Sequence, residues 1–338
     1  MVVQKHYLGT LSFTILIIVT VMSLKGFPLI AATGFKMVFY LLFSALFFLI
    51  PVSLVSAELS SCFNKPGGVY FWVKAALGPR LGVVSVWIQW VQNIIWAPTI
   101  IGFAADSFSY TLGLESLAKS GIYTASMIII IYWFAVFITL KGLKLSTTIT
   151  TIGAIIGIFI PALFVIGLGV IWILSGQTIN ISFSLNNIFP DFDNFNSVSF
   201  IAGIVILFSG MEVNAVHINN LKKPTTDYVR SIIFASIFML VIFFLGSLSL
   251  AMIIPSESIS LTTGVMQSIQ KVLAQYNMIW VVKIFGALIT FGVLASVIAW
   301  ICGPSKGLLI AAEQGELPKI LSYKNKNGVQ RNILILQA

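Results

Sequence analysis

Long apolar stretches separated by short polar segments run through this sequence and restrict what it can fold into. Each stretch is about 20 residues or longer, the length that an α-helix needs to cross the hydrocarbon core of a bilayer. Of the 338 residues, 58% are hydrophobic and only 9% are charged, whereas an average soluble domain is about 25% charged. The sequence therefore predicts an all-α integral membrane protein and excludes a soluble globular or disordered chain.

The apolar stretches predict about eight complete membrane spans in one membrane domain over residues 1–338. We place the spans, with an error of about 2–4 residues, at 8–33, 36–61, 81–112, 121–140, 147–175, 197–219, 229–254 and 279–312. A ninth apolar run begins at Ile333. The aromatic run 69–77 is too short to span, and it predicts a helix at the membrane interface with Tyr70 and Trp72 at headgroup depth.

The basic residues predict the orientation of the spans. Most Lys and Arg, among them Lys5, Lys65 and Lys222, fall on one side of the membrane, whereas the outer loops carry acidic residues such as Asp191 and Asp193. Because basic loops stay in the cytoplasm, we expect the N-terminus inside. The net charge of +9 then reflects topology and not nucleic-acid binding.

Motifs of catalysis, metal binding and nucleotide binding are missing from the sequence. The two cysteines, Cys62 and Cys302, cannot form a disulfide framework and belong to no Cys/His cluster. There is no phosphate-binding Gly-Lys loop, no nucleophile elbow and no His-Glu-x-x-His motif. We therefore expect no enzyme activity, no cofactor, no metal and no nucleic-acid partner, and we expect a small molecule and membrane lipid as the partners.

Two predicted spans, the first and the sixth, carry helix-breaking residues together with a charge. Proline and glycine weaken a helix, and unwound backbone inside a bilayer is tolerated only where it is buried in protein or lines a cavity. The candidate substrate-binding residues at these breaks are Ser23, Lys25, Gly26, Phe208, Ser209, Gly210 and Glu212. Breaks five spans apart predict two five-helix repeats in inverted topology, about 8–175 and 197–338, with a substrate site between them. Exposed N–H and C=O groups there suit an amino acid, which carries a carboxylate and an ammonium.

The charges near the breaks have alternative interpretations. Lys25 can bind a substrate carboxylate, or it can form an ion pair with Glu212 that holds the two breaks together, since charges inside a membrane usually pair. Glu212 is also a candidate for proton coupling, because a carboxyl removed from water takes up a proton more readily; otherwise it is a structural carboxyl. His217 is a second proton-coupling candidate, with an ordinary interfacial histidine as the alternative.

Short motifs along nearly the whole chain resemble the amino acid/polyamine/organocation superfamily, and within it the bacterial glutamate/γ-aminobutyrate antiporters. The motifs are Ala31–Phe35, Ile50–Val52, Ala57–Glu58, Gly67–Val73, Leu77–Arg80, Gly210–Glu212, His217, Asn219, Pro224, Gly264–Gln267, Gly292–Ala295, Trp300, Gly303–Gly307 and Asn325–Val329. The resemblance implies an inverted-repeat transporter fold of twelve spans in a bacterial inner membrane, and exchange or proton-coupled transport. It also places Gln92 and Asn93 of the third span and Ser296 of the eighth beside the breaks, as site residues or as interhelical hydrogen-bonding groups.

The sequence departs from this subfamily at several positions. Ser296 stands where the antiporters have an acidic residue, Lys25 and Gly26 stand where they have tyrosine and glutamate, and Gln330 replaces a proline. About eight of the twelve implied spans are present, so we expect a C-terminally truncated chain. The resemblance therefore implies an amino acid permease or antiporter, with a non-transporting permease fragment as the alternative and a channel as a weaker third option.

Overall fold

Four ranges of the chain are described by the computed structural model: residues 9–63, 67–184, 188–190 and 195–338. Four charged residues used in the orientation prediction lie outside them: Lys5, Lys65, Asp191 and Asp193. Within the described ranges the fold is helical, and the one contact of β type is an isolated bridge between Lys324 and Gln330. The all-α prediction is confirmed for this part of the chain.

Twelve helices follow one another along the described ranges. They are α1 (Thr10–Val21), α2 (Gly26–Ala31), α3 (Gly34–Cys62), α4 (Val69–Leu77), α5 (Pro79–Leu112), α6 (Gly121–Leu140), α7 (Lys144–Leu174), α8 (Phe195–Ile206), α9 (Pro224–Ile253), α10 (Gly264–Ala274), α11 (Ile279–Glu313) and α12 (Arg331–Gln337). A 3₁₀ helix, Val213–Asn220, follows α8 and is called the 3₁₀ segment below.

Five of the described helices, α3, α6, α7, α9 and α11, are long and apolar enough to cross a bilayer. α5 has 34 residues and is also long enough, but polar side chains such as Gln89, Gln92 and Asn93 lower its hydropathy. The first and sixth predicted spans are divided into shorter pieces. The total of eight spans stays a prediction, whereas the limits of the third, fourth and eighth predicted spans agree with α5, α6 and α11 within two residues.

The longest helices pack closely around α11. α5 runs beside α11 over much of its length, and α7 crosses α11 where Gly157 meets Gly292. A Cβ atom on Gly157 would lie 2.4 Å from the Cα of Gly292, so the two backbones touch and neither position has room for a side chain. Small residues allow this approach, which is how membrane helices gain van der Waals contact.

The short helix α4 forms where the aromatic run predicted it, and its Tyr70 and Trp72 rings are buried against other helices. Tyr70 is fully buried and Trp72 is 8% exposed, because α4 packs beneath the start of α5 and against the end of α11. The Tyr70 hydroxyl donates to Gln314 Oε1 at 3.0 Å. Lys74 Nζ donates to Glu316 Oε1 at 2.9 Å, and this hydrogen bond raises the pKa of Lys74. The two rings are therefore packed inside the protein, and their position at headgroup depth stays a prediction.

Candidate functional site

The first predicted break lies between α1 and α2. α1 ends at Val21 and α2 begins at Gly26, and the four residues between them are not helical. The amide of Lys25 donates to Ser23 Oγ at 3.2 Å, and the amide of Gly26 donates to the Ser23 carbonyl at 3.0 Å. Pro28 falls in the first turn of α2, where its missing N–H costs no helical hydrogen bond. The break is thus closed by local bonds to Ser23.

The second predicted break follows α8. Residues 207–212 form turns between Ile206 and the 3₁₀ segment. Gly210 has a φ angle of 106°, which is strained for any residue with a side chain. A Cβ atom there would also lie 2.6 Å from the ring of Trp300 on α11. Backbone conformation and the Trp300 ring both require glycine at this position.

A cavity of about 600 Å³ lies between the two breaks, and we call it the central cavity. Residues of the first break, α2, α5, α8, the second break and α11 line it. Most of its wall is apolar, with a small number of polar groups. This combination of size and lining is typical of sites for small molecules.

Half of the predicted site residues line the central cavity. Those that do are Ser23, Lys25, Gln92, Ser209 and Ser296. The predicted residues that are not part of its wall are Gly26, Phe208, Gly210, Glu212 and Asn93. Phe208 is fully buried and packs edge-on against Phe243, and Gly26 provides the room for that same Phe243 ring. These residues support the breaks without facing the central cavity.

Lys25 and Glu212 are not paired with each other. Lys25 Nζ donates to the Thr99 carbonyl at 3.1 Å, whereas Glu212 Oε1 accepts from Gln89 Nε2 at 3.2 Å. Both partners belong to α5, ten residues apart, which is about 15 Å along a helix. The predicted ion pair is therefore wrong: the two charges lie at different depths, and each is bound by α5.

Among the described residues, Lys25 is the only ionisable one that lines the central cavity. Its ammonium carries three N–H donors, and the Thr99 carbonyl takes one of them. Two donors and the full positive charge remain for a ligand. The other polar side chains in the wall carry hydroxyls, indole N–H groups or the Gln92 amide. The amide Nε2 of Gln92 lies 3.5 Å from Ser209 Oγ, a long contact.

Asn93 and Ser296 differ in their surroundings. Asn93 is fully buried, and neither its amide oxygen nor its amide nitrogen has a hydrogen-bond partner in the described part of the chain. Ser296 Oγ donates to the Gly292 carbonyl at 3.2 Å within α11. Ser296 therefore faces the central cavity with its hydrogen already engaged, and its oxygen remains an acceptor.

Two tryptophans of the central cavity, Trp96 and Trp300, were not predicted as site residues. Trp300 packs its ring against that of Trp96, with centroids 5.1 Å apart, and its indole N–H donates to the Thr20 carbonyl at the end of α1. Trp96 lines the central cavity as well. The spacing of residues along α11 could have identified Trp300, because it follows Ser296 by one helical turn and so lies on the same face of the helix.

His217 lies away from the central cavity, near the end of the 3₁₀ segment. It is 6% exposed and lines a different cavity together with Lys306. Within the described ranges, no group of three or more His, Cys, Asp or Glu side chains is placed to hold a metal ion.

Comparison with known proteins gives a family for nearly the whole chain. The family model described as amino acid permease matches residues 8–338. An uncharacterized transporter of Legionella pneumophila is 34% identical over 99% of this chain and 72% of its own length. A glutamate/gamma-aminobutyrate antiporter of Lactococcus lactis is 30% identical over 94% of this chain and 64% of its own. A probable agmatine/putrescine antiporter of the same species is 27% identical, over 89% and 63% respectively.

The two antiporters among these relatives are named for different substrates. All three are named as transporters and none as an enzyme, which is compatible with the expectation of no enzyme activity. The family and the apolar helices indicate an integral membrane protein of the amino acid permease family. They do not favour the alternative of a non-transporting fragment. This chain spans about two thirds of the length of the two antiporters.

Proposed function

Because this chain belongs to the amino acid permease family, we propose that it carries an amino acid across a bacterial inner membrane by alternating access. The substrate binds in the central cavity, between the two broken helices. The observation that carries the proposal is the composition of this cavity. It is about 600 Å³, both breaks contribute to its wall, and Lys25 is the one ionisable lining residue described.

Lys25 would bind the substrate carboxylate. A charge-assisted hydrogen bond to a carboxylate is roughly twice as strong as a neutral one, and two ammonium donors of Lys25 are not used by Thr99. The substrate ammonium would lie against the unwound backbone carbonyls and the hydroxyls of Ser23 and Ser296. Phe208, Gly210 and Gly26 would hold the breaks in shape, and Gln92 and Ser209 would complete the polar part of the wall.

The same charge favours amino acids over diamines. One relative is named for glutamate and gamma-aminobutyrate and another for agmatine and putrescine. A diamine has no carboxylate to offer Lys25, and its two cations would face a like charge with no described acidic residue in the wall. Like charges in a site of low dielectric repel strongly. We therefore propose an amino acid and not a diamine as the substrate.

Transport would be coupled to exchange or to a proton. Glu212 lies beside the second break and accepts one hydrogen bond from Gln89, so its protonation would alter the contact between α5 and the break. His217 is the second candidate, at the far end of the 3₁₀ segment. Glu212 ends the second break and His217 lies on the 3₁₀ segment that follows it, so alternating access would move both, and neither lines the central cavity.

The proposed orientation has the N-terminus in the cytoplasm. Thr10 Oγ1 donates to Asp227 Oδ1 at 2.8 Å, so the starts of α1 and α9 lie at the same end of the bundle. Lys222 and Lys223 precede α9 directly, and their positive charge marks that end as cytoplasmic. The division into inverted repeats, 8–175 and 197–338, stays part of this proposal.

Reconstitution tests the function directly. The full-length protein is purified into liposomes loaded with unlabelled amino acid, and entry of labelled amino acids is followed with and without internal substrate and with and without a pH gradient. We expect saturable uptake of at least one amino acid, stimulated by internal amino acid or by the gradient. Absence of saturable uptake across a panel of amino acids, from protein that is shown to be folded, would contradict the proposal. Uptake of putrescine in preference to all amino acids would contradict the assignment of Lys25.

A further inference from the structure

A second cavity lies at the end of the helix bundle where α9 begins and α11 ends, and we call it the second cavity. Its volume is about 460 Å³. None of the described residues in its wall is shared with the central cavity. The end of α6, the start of α7, the 3₁₀ segment, α11 and the loop before α12 all contribute to it. It is therefore a separate compartment, and the proposed transport site does not account for it.

The second cavity contains an ammonium group without a counter-charge. Lys306 Nζ donates to the Val216 carbonyl at 3.1 Å, which uses one of its three donors. The acidic side chain in the same wall, Glu313, is taken by an ion pair with Lys324. No carboxylate lies within ion-pair distance of Lys306 among the described residues. Lys306 is half-buried, and partial removal of an unpaired cation from water is costly, which favours the binding of an anion.

Neutral donors accompany Lys306. Asn220 Nδ2 is buried in the described structure without a hydrogen-bond partner, although the residue lines the second cavity. His217 lines it as well, close enough for the Lys306 charge to act on its ring. A neutral imidazole carries one N–H, which here is not engaged by any described group. The Lys306 ammonium, the Asn220 amide and the His217 imidazole thus line the same cavity, and each has an N–H group without a described partner.

The wall that carries these donors is held in place by hydrogen bonds. Asn325 Nδ2 and Asn327 Nδ2 both donate to the Leu140 carbonyl, at 2.7 Å and 3.0 Å, and so tie the loop before α12 to the end of α6. Gln330 Nε2 donates to Ser305 Oγ at 2.7 Å and ties the same loop to α11. A cavity with a fixed wall is pre-organised, so a ligand does not have to order it.

We propose that the second cavity binds a small anion with a carboxylate or phosphate group, held by Lys306, Asn220 and His217. Oxygen anions accept several hydrogen bonds at once and supply the negative charge that Lys306 lacks. The volume admits a phosphate or a short dicarboxylate. Because the site lies at the basic end of the bundle, the ligand reaches it from the side that carries Lys222 and Lys223. A soluble anion and the phosphate of an anionic lipid headgroup share this chemistry, and the experiment separates them.

Binding is measured on the full-length protein in neutral detergent. Isothermal titration with inorganic phosphate and with succinate, at an ionic strength matched with chloride, is performed on the unchanged protein, Lys306→Gln and Lys319→Gln. Lys319 is an exposed lysine at the same end of the bundle and lies outside the cavity wall, so it controls for general charge. A parallel arm adds phosphatidylglycerol micelles in place of the soluble anions. We expect saturable binding that weakens about tenfold or more in Lys306→Gln, as expected for loss of one charge-assisted bond, and that stays within twofold in Lys319→Gln.

Two further variants keep the test decisive. If Lys306→Gln does not fold, Asn220→Ala removes a donor without disturbing the Lys306 bond to Val216, and it is also expected to weaken binding. Lys25→Met should leave binding unchanged, which separates this proposal from the transport proposal. Saturation by phosphatidylglycerol alone would assign the site to a lipid headgroup. No saturable binding of any probe, or equal weakening in Lys306→Gln and Lys319→Gln, would overturn the proposal and leave Lys306 as a cap for the 3₁₀ segment.

Discussion

Replacing Lys25 with methionine tests the assignment of the central cavity most directly. Methionine keeps an unbranched apolar stem of similar length, so the variant loses the ammonium and little of the packing. In the described part of the chain this removes the one ionisable group in the cavity wall. The hydrogen bond from the ammonium to the Thr99 carbonyl is lost too.

The expected size of the effect follows from the contacts. Lys25 has two free donors for a carboxylate, and a hydrogen bond to a charged group contributes about 1.5–3 kcal/mol net. One such bond corresponds to about a 10- to 100-fold loss of amino acid affinity. Diamine affinity should not fall, because the variant removes a repulsive cation. The selectivity between the two substrate classes should therefore shift by at least the same factor.

The assay is competition in proteoliposomes. Inhibition of labelled amino acid exchange by unlabelled amino acid and by putrescine is measured for the unchanged protein, Lys25→Met and Lys119→Met. Lys119 is an exposed lysine outside the cavity wall, and its replacement should change neither constant. A change of less than threefold in amino acid affinity for Lys25→Met, or an equal loss for both substrate classes, would refute the reasoning.

Three other predictions address the proton-coupling, helix-packing and buried-amide residues. Glu212→Gln should keep exchange activity but flatten the dependence of transport on pH, and an unchanged pH profile in liposomes would remove its role in coupling. Gly157→Ala should lower the thermal unfolding temperature, because the added methyl group overpacks the contact with Gly292 at a cost of about 1–3 kcal/mol or more in folding free energy. Gly167→Ala is the control and should not lower it, since a Cβ atom there meets no atom within 4 Å. Asn93→Leu should leave the unfolding temperature equal or higher, since it removes two unpartnered polar atoms. Substrate affinity should stay within threefold of that of the unchanged protein. A larger loss of affinity would show that the amide contacts the substrate.

Helix limits were predictable where length and apolarity decide them. α6 occupies the predicted 121–140, and α11 ends one residue beyond the predicted 279–312. The breaks were predictable as well, because glycine, proline and a charge within a few residues disfavour a continuous helix. These features are local, so the sequence carries them without knowledge of the packing.

The direction of each side chain was not predictable in the same way. Gln92 lines the central cavity, whereas its neighbour Asn93 points away from it and is fully buried. Successive residues on a helix differ by about 100° around the axis, and the rotation of α5 about its axis is set by its contact with α11. The Lys25–Glu212 prediction failed for a related reason, because depth along α5 depends on how the helices are staggered.

Trp300 joins the two breaks in a single side chain. Its indole N–H is bonded to the Thr20 carbonyl where α1 ends, and its ring fills the space that Gly210 leaves open at the second break. Any movement that separates α1 from the second break must either rupture that bond or carry the indole along. In the proposed transport cycle the two breaks would therefore move together. The chain has eight tryptophans, so a change in tryptophan emission during transport that is lost in Trp300→Phe would report this motion.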